Sequence, residues 1–367
     1  MACVQTAPFS DQDNNEYLER FHTKVVQQRV PLSGSLDLTH QCNLRCVHCY
    51  LGNKGSRTAS GKKELSTGQW IGLIDEFTDA GCLFLLMTGG EPLLRKDFAE
   101  IYSHAKKRGL LVTVFTNGTL IADEILRLFE DLPPQTVEIT LYGAKDSTYE
   151  SITGVKGSYQ KCLGGIEKLL NSGINLILKT ILMRPNHQEF WDIQKMAKEY
   201  GVRFRFDSAI FPSIDGDKTP IQLRVDPAEA VQKEFSDGER SAQWRDFFTR
   251  MQGLPFSDTL YDCGAGLTTF HVDPYGWLKP CLMVQSLRYE LSQGNFRMGW
   301  QNVMPKIREK KVDPDHPCAR CERRLLCGYC PAFFHLEKGA ENICSEYLCA
   351  MGRHRLDEMH KLTEEVY

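Results

Sequence analysis

Short apolar runs alternate with longer amphipathic stretches over the first half of the chain. Leu83-Phe84-Leu85-Leu86-Met87 has no polar position at all, as a strand buried on both faces of a parallel sheet requires. Thr67–Ala80 instead sets Trp70, Ile71, Ile74 and Phe77 on one face at helical spacing. Read in this way, the chain predicts strands at Leu36–Thr39, Leu83–Met87, Leu110–Phe115, Val137–Leu141, Ile174–Ile181 and Val202–Phe206. Helices are predicted between them at Thr67–Ala80, Phe98–Arg108, Asp123–Glu130, Ser158–Asn171 and His187–Tyr200. Strict alternation of strand and helix indicates an α/β fold with a parallel sheet, whose ligands bind at the C-terminal ends of the strands. Tyr17–Val26 reads as a helix without a motif, and Val225–Gln252 as a charged surface helix bridging to a further region.

The strand ends carry the chemistry. Directly after the first strand stand Cys42, Cys46 and Cys49 at C-x3-C-x2-C spacing. Three thiolates so close in one loop converge on one small object, and soft sulfur selects zinc or an iron–sulfur cluster. A closed site takes four ligands, and no fourth cysteine lies nearby. Three thiolates on a [4Fe–4S] cube leave one iron open for a chelating ligand, whereas a zinc knuckle would draw in His48. Thr88-Gly89-Gly90-Glu91-Pro92 ends the second strand. Gly89 and Gly90 allow close backbone approach, and Glu91 offers an anionic acceptor for an amine; the alternative is a plain Gly-Gly turn with a solvated Glu. Asn117 lies in the turn after the third strand, Thr140 at the end of the fourth and Lys179 in the fifth, followed by Asn186. Asp207 and Asp215 are expected at the barrel mouth, as substrate or acid–base groups or as ordinary turn residues.

A second cysteine field begins at Cys263 and Cys281, which flank a predicted hairpin through Pro274-Tyr275-Gly276 with His271 as a core histidine on it. Cys318, Cys321, Cys327 and Cys330 follow, then Cys344 and Cys349. Eight cysteines allow two four-ligand sites, and the C-x2-C-x5-C-x2-C run specifies a metal site without specifying which metal; a structural zinc ribbon is the main rival. Cys82 and Cys162 read as packed thiols and Cys3 as a spare one.

These motifs resemble those of the radical S-adenosylmethionine (SAM) enzymes, and the second field resembles their SPASM extension. The resemblance covers roughly residues 33–350. It implies a partial (β/α)6 TIM-like barrel at 31–210, preceded by an N-terminal segment at 1–30. A bridging loop and helix at 211–260 would lead to a cysteine-rich SPASM domain at 261–367. By family pattern, Cys42, Cys46 and Cys49 hold the SAM-cleaving [4Fe–4S] cluster. Gly89, Gly90 and Glu91 hold the SAM amino group, with Asn117, Thr140 and Lys179 as further cofactor contacts. SPASM domains carry two auxiliary [4Fe–4S] clusters. Cys263, Cys281 and Cys330 would hold the first, and Cys318, Cys321 and Cys327 the second, closed by Cys344 or Cys349. The usual run has three residues before its fourth cysteine, whereas two separate Cys327 and Cys330 here. The activity implied is generation of a 5′-deoxyadenosyl radical and oxidative modification of a peptide or protein, such as a thioether or carbon–carbon crosslink. A flavodoxin or ferredoxin would be the electron donor. A formylglycine-generating sulfatase maturase, a tetrapyrrole- or cofactor-biosynthesis enzyme and a non-catalytic metal scaffold are the alternatives.

Composition adds limits. The chain has 367 residues, 25% of them charged, with a formal net charge of −3, so bulk charge supplies no affinity for nucleic acid or anionic membrane. No signal peptide or apolar span is visible, which makes the cytoplasm the expected location. Fourteen cysteines in such a chain argue for metal binding rather than disulfides.

Overall fold

The computed structural model describes residues 11–52, 62–251, 253 and 257–364. Cys3 and the polar stretch 53–61 lie outside them. Helix α1 (Asp11–Gln28) precedes the sheet. The predicted alternation then follows: β1 (Ser33–Thr39), α2 (Thr67–Asp79), β2 (Phe84–Gly89), α3 (Phe98–Lys107), β3 (Leu111–Thr116), α4 (Asp123–Asp131) and β4 (Thr136–Thr140). After it come α5 (Asp146–Thr153), α6 (Ser158–Asn171), β5 (Leu176–Ile181), α7 (Phe190–Glu199) and β6 (Arg203–Asp207). Helix α5 was not anticipated. The predicted Val225–Gln252 helix is two, α8 (Pro227–Ser236) and α9 (Gly238–Met251), parted at Asp237.

Local signals set these boundaries. Ser66 and Gln69 form a reciprocal capping box that starts α2, and Trp70, Leu73, Ile74 and Phe77 bury its apolar face. Gly154, in the left-handed conformation, ends α5.

Strands β1 to β6 are all parallel and lie in chain order, as a partial barrel demands. The sheet does not stop at β1. Strand β7 (Thr269–Val272) pairs with it in parallel, and β8 (Trp277–Lys279) and β9 (Tyr289–Glu290) continue antiparallel, giving the order β6-β5-β4-β3-β2-β1-β7-β8-β9. The hairpin before Cys281 is therefore part of the barrel sheet. Gly34 on β1 makes this possible, because a Cβ there would lie 2.4 Å from the Phe270 ring. Phe270 in turn packs on Phe77 (4.9 Å between centroids) and Phe296 (4.8 Å), so the C-terminal region shares the barrel's core. Each such buried ring contributes about 1.5–3 kcal/mol.

Helices α10 (Pro331–Lys338) and α11 (Glu346–Glu364) close the chain. Arg355 of α11 makes a buried bidentate pair with Glu234 of α8, both bonds 2.7 Å, and gives a third hydrogen bond to the Leu326 carbonyl at 2.6 Å. This clamps the last helix to the segment after the barrel. None of the described helices is long and apolar enough to cross a membrane.

Candidate active site and thiol groups

A cavity of about 180 Å3 opens at the C-terminal ends of β1 to β5. Cys42, Cys46 and Cys49 face it from the loop after β1, with Gly89 and Gly90 from β2, Asn117 after β3, Thr140 from β4 and Lys179 from β5. The cysteine loop is held from two sides. Backbone amides of Arg45 and Val47 donate to the Thr153 and Ile152 carbonyls at the end of α5, at 2.8 and 3.0 Å. Ser213 donates to the Cys49 carbonyl (3.0 Å) and the Ile214 amide to that of Tyr50 (2.8 Å). The unforeseen α5 thus serves as an anchor for the cysteine loop.

The three sulfurs act on one neighbourhood. The Tyr142 hydroxyl is pushed well above its usual range, by burial first and then by the charges of Cys46, Cys49 and Cys42. His48, edge-on to Tyr142 at 4.8 Å, is held down to about 4 by burial, so its ring is neutral. Asn117 ties the loop to β3: its amide donates to Asn43 Oδ1 (2.8 Å) and approaches Cys42 Sγ (3.9 Å).

Gly90 sits where no side chain fits. A Cβ there would lie 2.2 Å from the Gln41 carbonyl oxygen. Gly89 has φ +128°, and its Cβ would meet the Thr39 carbonyl at 2.3 Å. Glu91 is fully buried and does not line the cavity. Its carboxylate accepts from Asn117 N–H (2.7 Å), Thr116 Oγ1 (2.8 Å) and Leu93 N–H (3.1 Å). Burial nevertheless raises it to about 7, against the pull of these donors. An ionised carboxylate has about four acceptor positions, so one remains open.

Lys179 lies over the Phe115 ring and 3.4 Å from Glu138, which also binds Arg205. Burial lowers Lys179 to about 7, partly offset by Glu138 and reinforced by Arg205. Asn186 is not at the cavity; its side chain bonds the backbone of Tyr142, Ile181 and Met183. Asp207 and Asp215 are exposed and do not line the cavity either. Asp207 accepts from the Ala209 amide two residues on, and Asp215 lies against Gly52.

Sequence reading missed Tyr50, Tyr142, Thr116 and the buried group beneath them. Tyr50 reaches Asp37 and the Gly89 carbonyl, both at 3.3 Å. Asp37, 1% exposed, lies 3.3 Å from His40 and 3.7 Å from His271. Burial pushes the Asp37 carboxyl up, but His271, His40 and Lys279 bring it below its usual range. The sequence signal was an Asp between two leucines in a predicted strand.

The second field forms two groups. Burial raises Cys330 and Cys281, and each feels the charge of Cys263. Around Cys318, the thiols of Cys344, Cys327 and Cys349 lie close enough to raise it after burial, and Cys321 acts on Cys327 and Cys349. Cys318 and Cys344 are 3.1 Å apart, and His316, Cys318 and Cys344 bring their donor atoms within 4.8 Å of one another. Gly328, at φ +71°, makes the tight turn that sends Cys327 to one group and Cys330 to the other.

Residues 36–197 match the profile of the Radical SAM superfamily. This segment is a radical SAM domain. The chain is 28% identical over 334 residues to an AdoMet-dependent heme synthase of Methanosarcina barkeri, covering 84% of this chain and 93% of that one. It is 29% identical over 318 residues to mycofactocin maturase MftC of Mycolicibacterium smegmatis, covering 82% and 78%. Two solved structures share the fold. Streptococcus suis SuiB bound to precursor peptide SuiA has a TM-score of 0.68 at 16% identity, over 95% of this chain and 83% of that one. The anSMEcpe structure with bound AdoMet has a TM-score of 0.69 at 15% identity, over 92% and 100%.

Radical SAM domains bind SAM and a [4Fe–4S] cluster, and the residues present fit both. Three thiols face one cavity with no fourth cysteine among its lining residues, and the Gly89-Gly90 backbone leaves a cradle that a Cβ would fill. The cysteine-rich C-terminal region fits auxiliary clusters.

Proposed function

We propose that this enzyme oxidatively modifies a peptide or protein substrate, with thioether or carbon–carbon crosslinking of a ribosomally made peptide as the favoured outcome. Cys42, Cys46 and Cys49 would hold the SAM-binding cluster, with Gly89, Gly90 and Glu91 at the SAM amino group. Asn117, Thr140 and Lys179 would complete the SAM contacts. When bound, this pair supplies hydrogen-atom abstraction from an unactivated carbon. The chain's own work is to bind, orient and exclude water. The Asn43–Asn117–Thr119 hydrogen bonds fix the cysteine loop on the β3 turn, and Tyr142 with Phe115 gives the cavity an apolar wall.

The observation that supports an oxidative reaction is the pair of thiol groups beyond the barrel, three cysteines and five. Their region is joined to β1 through β7, so a redox centre there would be rigidly placed relative to the barrel. MftC's name as a maturase and the precursor peptide bound to SuiB support a peptide as substrate. Likeness to a heme synthase over 84% of this chain favours a tetrapyrrole as the second reading.

The test begins with anaerobic reconstitution of the wild type and of a variant with Cys42, Cys46 and Cys49 all replaced by Ala. The wild type should release 5′-deoxyadenosine from SAM with reductant; the variant should not, while retaining about eight auxiliary irons. Retained cleavage would reject the assigned ligands. Zinc without residual iron in the variant would reject the auxiliary clusters. A small peptide encoded beside this gene should change mass only when co-expressed with the enzyme; turnover of Fe-coproporphyrin III instead would favour the second reading.

A further inference from the structure

A groove follows the free edge of β6 towards the flank of the five-thiol group, and nothing in the barrel chemistry uses it. The Asp207 carbonyl accepts from Leu182 N–H at 2.8 Å, so Asp207 faces β5. With a period of two, Arg203 and Arg205 face β5 as well, and Phe204 and Phe206 turn their N–H and C=O groups outward. β6 ends the sheet, and among the described residues no backbone group pairs with those four. Proteins normally blunt or cover such an edge. Here a cavity of about 770 Å3 runs beside it, bounded by α7 and the α8–α9 junction.

The rim is cationic. Lys198, Arg203 and Arg240 stand against Asp237 and Glu239, while Arg205 is paired with Glu138. Asp237 is already engaged by Gln194 and by the Arg240 amide. Arg240 also borders an adjoining cavity of about 380 Å3 beside Trp244, Phe247 and Leu325. Among the described residues, two buried donors in this continuous surface, Arg240 Nε and Trp244 Nε1, have no acceptor. The Trp244 ring is backed by the Arg355 guanidinium at 4.4 Å, which fixes its plane.

We propose that this groove docks an extended acidic peptide segment by strand addition to β6, with an apolar side chain seated beside Trp244 and Phe247. Strand addition satisfies the four outward backbone groups, and carboxylates meet the cationic rim. An added strand would lie about 10 Å from β5, which carries Lys179 in the reactive cavity. A segment running parallel to β6 would leave the groove at the same end of the sheet as that cavity. The docked segment is therefore a recognition segment of the substrate, and the inference rests on the peptide reading above.

The test uses the reconstituted full chain and two fluorescein-labelled probes, Glu-Val-Glu-Val-Glu-Val-Leu-Phe and its counterpart with Lys for Glu. By anisotropy the acidic probe should bind at least about tenfold more tightly, and less so as salt rises. Hydrogen exchange of residues 203–207 should slow when it binds. The double variant Arg203→Glu, Arg240→Glu should lose about tenfold or more in affinity with unchanged circular dichroism and iron content. Equal binding of both probes, or protection that omits 203–207, would overturn the proposal, as would a dimer through β6 that the acidic probe does not dissociate. Protection of β6 without any peptide being modified would instead defeat the peptide reading and leave the groove assigned.

Discussion

Replacing Glu91 with Gln removes one charge and keeps the shape of a fully buried side chain. Three donors converge on that carboxylate, from Leu93, Thr116 and Asn117, and one acceptor position remains. If that position serves the SAM amino group, exchange of a charge-assisted for a neutral hydrogen bond costs about 1–1.5 kcal/mol, roughly a fivefold to tenfold rise in Kd. Burial raises Glu91 from 4.5 to about 7, so the folded protein holds this proton more tightly than the unfolded chain does. Below pH 4.5 both states are protonated and nothing is lost. Between 4.5 and about 7 the folded state alone retains the proton, and stability falls as pH rises, by on the order of 3 kcal/mol once ionisation is complete. The Gln variant has no such proton, so its stability should stay flatter through that window. The gap in SAM affinity between the two proteins should widen as pH rises through 7, where Glu91 becomes ionised. Anaerobic titration calorimetry with SAM on iron-matched samples reads the affinity, and thermal unfolding reads the stability. Equal SAM affinity across that range would remove Glu91 from the SAM site, whatever happened to stability.

Gly90→Ala drives a methyl group into the Gln41 carbonyl, 2.2 Å away, and backbone cannot yield as a side-chain tip can; a cost of about 1–3 kcal/mol and lower iron occupancy at Cys42, Cys46 and Cys49 should appear in melting and iron analysis. Arg355→Met strands buried Glu234 and should cost about 3–5 kcal/mol in denaturant unfolding, much of it recovered by adding Glu234→Leu. Lys179 has a folded-state value lowered to about 7 from 10.5, so stability should rise with pH between those limits as the unfolded chain holds the extra proton; Lys179→Met should abolish that rise in melts taken from pH 7 to 10.

Much of the barrel could be read from the chain because its signals are local. Each of the six strands was found within a few residues of its bounds, since an apolar run between helical periods is a property of neighbours. The continuation of the sheet past β1 was not legible. Its register joins Ser33 to Thr269, a pairing across most of the chain that no window of residues can show. Helix α5 escaped because Asp-Ser-Thr-Tyr-Glu-Ser-Ile-Thr is short and rich in turn-forming residues. Periodicity also carried Val225–Gln252 straight through Asp237, where the chain breaks between α8 and α9. At the site, motif residues stood out because their types are unusual together, as with Cys42, Cys46 and Cys49. Tyr50, Tyr142 and Thr116 are ordinary residues whose placement alone brings them to the cavity or to Glu91. Asp207 and Asp215 show the reverse: acidic residues in suggestive loops whose carboxylates satisfy turn and backbone contacts.

The division of the later cysteines is the clearest case of geometry deciding what spacing left open. From sequence, one of Cys344 and Cys349 was to close the second group and the other had no place. In the fold both stand with Cys318, Cys321 and Cys327, which gives that group five thiols and leaves Cys263, Cys281 and Cys330 as three. His316 stands beside this group. Its Nδ1 accepts from the Cys318 amide at 3.1 Å, which requires the proton on Nε2. Nε2 then donates, towards the Asn342 carbonyl at 2.5 Å and Cys344 Sγ at 3.8 Å. With both nitrogens engaged, the ring steadies the Cys318–Cys344 side of the group. The group is therefore five thiols beside a hydrogen-bond donor, one sulfur more than a four-ligand centre uses. A single zinc ribbon built on Cys318, Cys321, Cys327 and Cys330 would need Cys327 and Cys330 to face the same centre, yet Cys327 feels Cys349 and Cys321 whereas Cys330 feels Cys281 and Cys263.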